Sequence, residues 1–177
     1  MKFTVRHYRR SDFRILWEID QACFPSGLSY TPLELKTYIH RPQALTLVAE
    51  AEAPPAQAVK QDPAKQEAHG ESAIAGFVVA DHKGRIGHII TIDVCAEVRQ
   101  RGVGSALLEA VEARLRACNC ACVRLETAVD NVPALSFYKR HGYTVIRSIP
   151  RYYSNGVDAL LMEKHLHSAL SPDNLLR

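Results

Sequence analysis

No apolar run in this 177-residue chain approaches the ~18 residues that a membrane-spanning helix needs. The opening Met1-Lys2-Phe3-Thr4-Val5 has no apolar signal core and alternates like a strand, which predicts a protein that is not secreted. Long blocks of one charge sign are also missing. The chain holds 22 Lys and Arg against 19 Asp and Glu, a net charge of +3, so no nucleic acid and no membrane surface is expected as partner. Five cysteines, an odd number without a signal segment, predict reduced thiols in a cytoplasmic setting. Cys118, Cys120 and Cys122 lack the Cys-x2-Cys spacing of zinc sites. They read as small packing residues, His165 and His167 offer no matching ligand pattern, and no metal is predicted.

What is present fits one soluble globular domain over residues 1–177, with 47% apolar and 23% charged residues. Phe3 to Tyr8 alternates as a first strand. Ser11 is expected to cap a helix running to Cys23, with Phe13, Leu16, Trp17 and Ile19 on its apolar side. Thr31-Pro32-Leu33-Glu34 spells a capping box with proline at the first helical position, and that helix should end before Pro42. Leu45–Glu50 and Ile74–Asp81 read as strands. Residues 51–72 between them carry three prolines and no aromatic residue, predicting a mobile hairpin insertion, with a short helix over Ala64–His69 as the alternative.

The second half is more regular. Gly87–Cys95 is a largely apolar strand, and Gly102–Cys118 is a helix with Val103, Ala106, Leu107, Ala110, Val111, Leu115 and Cys118 in one stripe. Glu109, Glu112, Arg114 and Arg116 are expected to face water. Cys122–Thr127 is a strand with Val123, Leu125 and Thr127 on one face and Arg124 and Glu126 on the other. Asp130 or Asn131 caps a helix with Pro133 in its first turn, ended by Gly142. Tyr143–Ile149 and Val157–Leu166 close the order, and residues 168–177 form a tail. This succession predicts an α/β fold, a mixed central sheet flanked by helices.

Between the Gly87–Cys95 strand and its helix stands Arg99-Gln100-Arg101-Gly102-Val103-Gly104-Ser105. A helix that opens on glycines presents unpaired N–H groups and a partial positive charge, which suits a phosphate or pyrophosphate. No Gly-Lys-Ser/Thr triplet is present, so this is not a P-loop, and Leu107 stands where a dinucleotide fingerprint needs a small residue. The remaining pattern, Arg-x-x-Gly-x-Gly, resembles the coenzyme A-binding motif of the GNAT superfamily of N-acetyltransferases. Downstream, Glu126, Asn131 and Tyr138 stand at the spacings of the RimI-type branch, the ribosomal-protein-alanine N-acetyltransferases. The resemblance is close over about residues 86–166. Before that it rests on the order of elements and on Cys23-Phe24-Pro25, which Ser26-Gly27-Leu28-Ser29-Tyr30 follow instead of the usual proline-tryptophan.

The resemblance implies a GNAT fold and an acetyl-CoA-dependent transferase acting on the α-amine of a protein N-terminus. Arg99, Gln100, Arg101, Gly102, Val103, Gly104 and Ser105 would hold the pyrophosphate. The strand end Ile92, Asp93 and Val94 would lend backbone to acetyl-CoA, with Val94 N–H facing the oxyanion, and Asn131 would bond the cofactor's amides. Glu126 would take the amine's proton and Tyr138 would protonate the leaving thiolate; on the residues alone, Glu126 reads equally as a carboxylate paired to Arg124 and Tyr138 as a core aromatic. Tyr152 and Tyr153, in a loop resembling the tyrosine-bearing loop of this branch, would line the acceptor path with Phe24, Pro25 and Tyr30. Two alternatives stay open: a GNAT enzyme acting on a small amine such as a polyamine, aminoglycoside or amino acid, and a non-catalytic acyl-CoA-binding module.

Overall fold

The computed structural model describes residues 2–24, 28–51 and 73–166. The expected insertion, apart from Ala51, and the C-terminal tail lie outside the described residues. Seven strands and four helices follow in the order β1 (Phe3–His7), α1 (Phe13–Cys23), α2 (Pro32–Ile39), β2 (Leu45–Ala51), β3 (Ala73–Lys83), β4 (Ile86–Val94), α3 (Val103–Ala117), β5 (Cys122–Ala128), α4 (Val132–Arg140), β6 (Thr144–Ile149) and β7 (Ala159–His165). The strands form one mixed sheet ordered β1-β2-β3-β4-β5-β7-β6. This is the α/β architecture the element order predicts, with boundaries moved by a residue or two. The described chain divides into two compact units, residues 1–81 with 90–111, and residues 82–89 with 112–177. Strand β4 and helix α3 each run through both.

In the first unit β2 lies antiparallel between β1 and β3. Leu16 and Ile19 of α1, Leu35 and Ile39 of α2, and Val48, Ile74, Phe77 and Val79 of the strands form its buried core. Helix α2 begins as its sequence requires: the Thr31 hydroxyl accepts from Glu34 N–H, and the Glu34 carboxylate accepts from Thr31 N–H at 2.9 Å. Entry to α1 differs from expectation. A short 3-10 turn, Arg10–Asp12, precedes it, and Asp12 rather than Ser11 is the organising residue. The Asp12 carboxylate accepts from Arg9 N–H at 2.7 Å and from the Arg6 guanidinium at 2.7 and 3.1 Å. Arg6 also forks onto Glu50, so two carboxylates of distant sequence meet one cation, an arrangement the planar guanidinium suits.

In the second unit β7 is central, antiparallel to both β5 and β6. The outer strand β6 is exposed over its first five residues, and its register with β7 shifts between Val145 and Arg147, leaving Ile146 as the extra residue of a bulge. Leu115 of α3 rests on Gly87 of β4, where a Cβ would collide with the leucine side chain. Two details of α3 correct the sequence reading. Cys118 is exposed because the helix ends at Ala117, and Leu108 takes a buried place instead. Glu112, expected in water, is 3% exposed. Its carboxylate accepts from Lys164 Nζ at 2.6 Å and from the Tyr143 hydroxyl at 3.0 Å, partners supplied by β7 and by the residue before β6. Such pairing is what lets a carboxylate stay buried.

Gly76 of β3 is the point where strand packing tolerates no side chain, since a Cβ there would collide with the Asp93 carbonyl oxygen of β4. Replacing it tests how tightly the end of β4 is held. Gly76→Ala is expected to lower unfolding free energy by about 1–3 kcal/mol, read as a lower urea midpoint with an unchanged slope.

Candidate active site

Strand β5 alternates as its sequence predicts, with Val123, Leu125 and Thr127 buried and Arg124 and Glu126 half-buried on the other face. Beside it, β4 runs parallel, but the ladder spans only three positions, Ile86–Cys122, Gly87–Val123 and His88–Arg124. His88 reaches diagonally along this face. Its Nε2 lies 2.7 Å from Glu126 Oε2. A carboxylate only accepts, so Nε2 carries the proton in this pair. Arg124 does not pair with Glu126, one of the two roles its sequence left open. It bonds Glu163, its register partner on β7, at 2.6 Å and holds that carboxyl below its ordinary range. Glu126 sits opposite Leu161 and is left to the imidazole. His88 is the residue that reading the sequence missed, because a lone histidine in an apolar strand carries no local signal.

After β5 the chain turns into α4. The side-chain oxygen of Asn131 accepts from Ala134 N–H at 3.2 Å, so Asn131 is the helix cap. Tyr138, in the last turn of α4, is 7% exposed and meets Phe137 and Tyr143 edge-on at 5.2 and 5.6 Å. Tyr143 is the residue whose hydroxyl donates to Glu112, so a buried carboxylate, a lysine and two tyrosines are stacked behind the α4 end. Glu126 also acts on the loop before β7. Tyr152 and Tyr153 meet edge-on at 5.1 Å, and burial pushes the Tyr153 hydroxyl up to about 12, helped by the charges of Tyr152, Glu126 and Asp130. Arg151 takes a left-handed φ of 50° there, its N–H bonded to Asp158 at 2.8 Å. His88, Glu126, Asn131, Tyr138 and Tyr153 thus belong to one unit.

The first unit holds the remaining candidates. Beyond its ladder with β5, β4 gives carbonyls to side chains: Ile90 O accepts from the Tyr30 hydroxyl at 3.4 Å, and Val94 O accepts from Arg99 Nε at 3.1 Å. The Cys23 thiol also approaches Val94 O at 3.5 Å, and Arg99 Nη2 lies 3.4 Å from that sulfur. Ile92 and Val94 are half-buried and Asp93 is sealed. In the loop that follows, Arg99, Gln100, Arg101 and Gly102 are exposed. Gln100 and Gly102 have left-handed φ of 61° and 88°. For a glutamine this conformation costs about 1–2 kcal/mol. Gly102 O accepts from Ala106 N–H, which makes Gly102 the cap of α3. It has no side chain to cover the N–H groups of Val103, Gly104 and Ser105. Phe24 is half-buried at the end of α1, and Pro25 lies outside the described residues.

The fold and the loop before α3 can be set beside known proteins. The model of the Acetyltransferase (GNAT) family matches residues 13–143, and the chain belongs to that family. It is similar to an uncharacterized N-acetyltransferase of Methanocaldococcus jannaschii, 37% identical over 103 residues, 58% of this chain and 66% of that one. It also resembles an N-alpha-acetyltransferase of Sulfurisphaera tokodaii, 39% identical over 77 residues, 43% of this chain and 46% of that one. The chain therefore matches between about half and two-thirds of these relatives' length. Among solved structures, Ard1 from Thermoplasma volcanium superposes with a TM-score of 0.77 at 23% identity, covering 95% of this chain and 100% of that one. The ribosomal-protein-S18-alanine N-acetyltransferase of Escherichia coli gives 0.73 at 18% identity, covering 99% and 100%. At these identities the likeness establishes the fold.

The Tyr143 hydroxyl is the neutral partner of buried Glu112, and removing it isolates that bond from ring packing. Tyr143→Phe is expected to cost about 1–3 kcal/mol, measured by urea unfolding at neutral pH, whereas Thr144→Ala on the exposed neighbour should cost far less.

Proposed function

We propose that this chain is an acetyl-CoA-dependent N-acetyltransferase whose acceptor is the α-amine of a protein or peptide N-terminus. The observation that carries the reading is the 2.7 Å contact of Glu126 with His88 on the half-buried face of β5 and β4. Transfer needs a neutral amine, and a carboxylate hydrogen-bonded to an imidazole accepts a proton there directly or through one water. The relatives' names support the acceptor class, since N-alpha-acetyltransferase recurs among them.

The residues fit acetyl-CoA as co-substrate on the chemistry of the loop: the left-handed turn at Gln100 and Gly102 and the glycine-capped start of α3 suit a pyrophosphate. Arg99 and Arg101 add charge there. In the step itself the amine attacks the thioester carbonyl, Glu126 receives the amine's proton, and Val94 N–H donates to the oxyanion. The carbon–sulfur bond then breaks, the sulfur takes the phenolic proton of Tyr138, and the proton held by Glu126 passes through water to restore the phenol. Asn131 would bond the cofactor's amides with the side-chain nitrogen its capping role leaves over. Ile92 and Asp93 contribute backbone. Phe24, Pro25 and Tyr30 are the first unit's candidates for the acceptor path, and Tyr152 and Tyr153 are the second unit's.

Release of free thiol is the measurement. Peptides with a free α-amine should turn over, and the same peptides blocked at the α-amine but bearing lysine should not; preference for lysine or spermidine overturns the acceptor reading. Glu126→Gln is expected to lower turnover by about 10²–10⁴-fold, most strongly at low pH, where an unassisted amine stays protonated. His88→Gln should lower it less, and Tyr138→Phe should slow thiol release. Calorimetry of Gly104→Asp should find acetyl-CoA binding largely lost, because a side chain and a negative charge then enter the loop.

A further inference from the structure

The peptide between Val94 and Cys95, at the end of β4, is held from both sides. Cys95 N–H donates to Ala75 O of β3 at 3.0 Å. On the same peptide, Val94 O accepts from Arg99 Nε at 3.1 Å and faces the Cys23 thiol at 3.5 Å. Arg99 Nη2 closes the figure at 3.4 Å from Cys23 Sγ. A carbonyl, a thiol and a guanidinium thus form a triangle drawn from the end of β4, the end of α1 and the loop before α3. All of it lies within the first unit.

Each corner has a definite part. Burial pushes the Cys23 thiol above its ordinary range, with the charge of Asp93 adding to it and Arg99 opposing. At neutral pH the sulfur therefore keeps its proton and donates it to Val94 O, while its lone pairs accept from Arg99. Arg99 is an exposed residue, yet two donors of its planar fork serve β4 and α1. A guanidinium spans two acceptors in this way because its donors are fixed in one plane, whereas a lysine ammonium is a point charge without that fork.

The alternation of the strand says what this triangle fixes. Successive residues of a strand turn their backbone groups to opposite edges. Asp93 O lies so close to Gly76 of β3 that a Cβ there would collide with it, and Cys95 N–H is bonded to β3 as well. Val94, between them, turns its N–H and its carbonyl to the other edge, where the ladder with β5 has already ended at His88. The peptide before the Val94 Cα is packed on Gly76 and the peptide after it is bonded at both ends. Val94 N–H is thereby held to one direction.

We infer that Arg99 and Cys23 are positioning residues that clamp Val94 O and so aim Val94 N–H, and that Arg99 spends its hydrogen bonds there rather than on a pyrophosphate. The role rests on the functional reading proposed above, in which that N–H meets the oxyanion. A donor set on a fixed peptide needs no rearrangement when charge develops on the substrate oxygen. Arg99 still lends its charge to the loop. Direct contact with the pyrophosphate is left to the backbone N–H groups at the start of α3 and to Arg101, which is exposed in the same loop. The triangle also ties the end of α1, where Phe24 follows Cys23, to the loop that opens α3.

Arg99→Lys keeps the charge and loses the fork, so it separates the two roles. It is expected to lower kcat by about 10–100-fold, while calorimetric affinity for acetyl-CoA stays near the parent's. Cys23→Val, which fills the space without bonding, should also lower kcat, and Cys23→Ser, whose hydroxyl both donates and accepts, should recover most of that loss. The Arg99→Lys and Cys23→Val effects should not add, since each opens the same clamp. Exchange of the Cys95 amide, followed by NMR without substrate, should quicken by about 3–10-fold in both variants. The Tyr8 amide, bonded to Thr46 O in the same unit, should keep its parental rate. Arg99→Lys carries the test alone should Cys23→Val not fold. Parental exchange at Cys95 in Arg99→Lys overturns the inference, and so does an Arg99→Lys enzyme with parental kcat. Quickened exchange in a protein that acetylates no amine would leave the clamp standing and remove the functional reading instead.

Discussion

The bond between His88 and Glu126 depends on a parallel ladder that stops after three rungs. Ile86, Gly87 and His88 pair with Cys122, Val123 and Arg124, and there the pairing ends although both strands continue. Backbone groups that leave a ladder must be satisfied elsewhere. On β4 the carbonyls of Ile90 and Val94 are taken by Tyr30, Arg99 and Cys23. β5 continues against β7 alone, from Leu125–Met162 to Ala128–Ala159. The last rung puts His88 one diagonal from Glu126, and so the end of the ladder also sets that hydrogen-bonded pair.

Local features were legible in the sequence because their causes are local. The α2 capping box, the Asn131 cap, the alternation of β5 and the glycine-opened α3 each follow from residues within a turn of one another. What escaped reading was decided by distant partners. Glu112 has the spacing of a wet-face residue, yet Tyr143 and Lys164, far along the chain, give it a buried place. Asp12 displaced Ser11 because Arg6 and Glu50 converge on the same turn. His88 gained its role only through β4–β5 register. Of the candidate site, then, the motif residues were visible and their supporting partners were not.

The acids divide into two kinds, and the division is physical. Asp12, Glu112 and Glu163 each meet a cation at hydrogen-bond distance, which offsets the cost of leaving water. Asp20 and Asp93 meet amide and hydroxyl donors only. The first kind fastens elements together. Acids of the second kind are costly to ionise, and such groups gather where a fold needs an adjustable joint rather than a rivet.

The bulge at Ile146 has a meaning outside catalysis. β6 is the last strand of the sheet, with its first five residues exposed and Val145 and Ile146 among the exposed large apolar side chains. Such an edge is a template on which another chain can add a strand. The extra residue breaks the even spacing of amides just where those apolar side chains sit, and Arg147 follows it directly. Addition of a further strand at this edge is thereby opposed by an irregular, charged border.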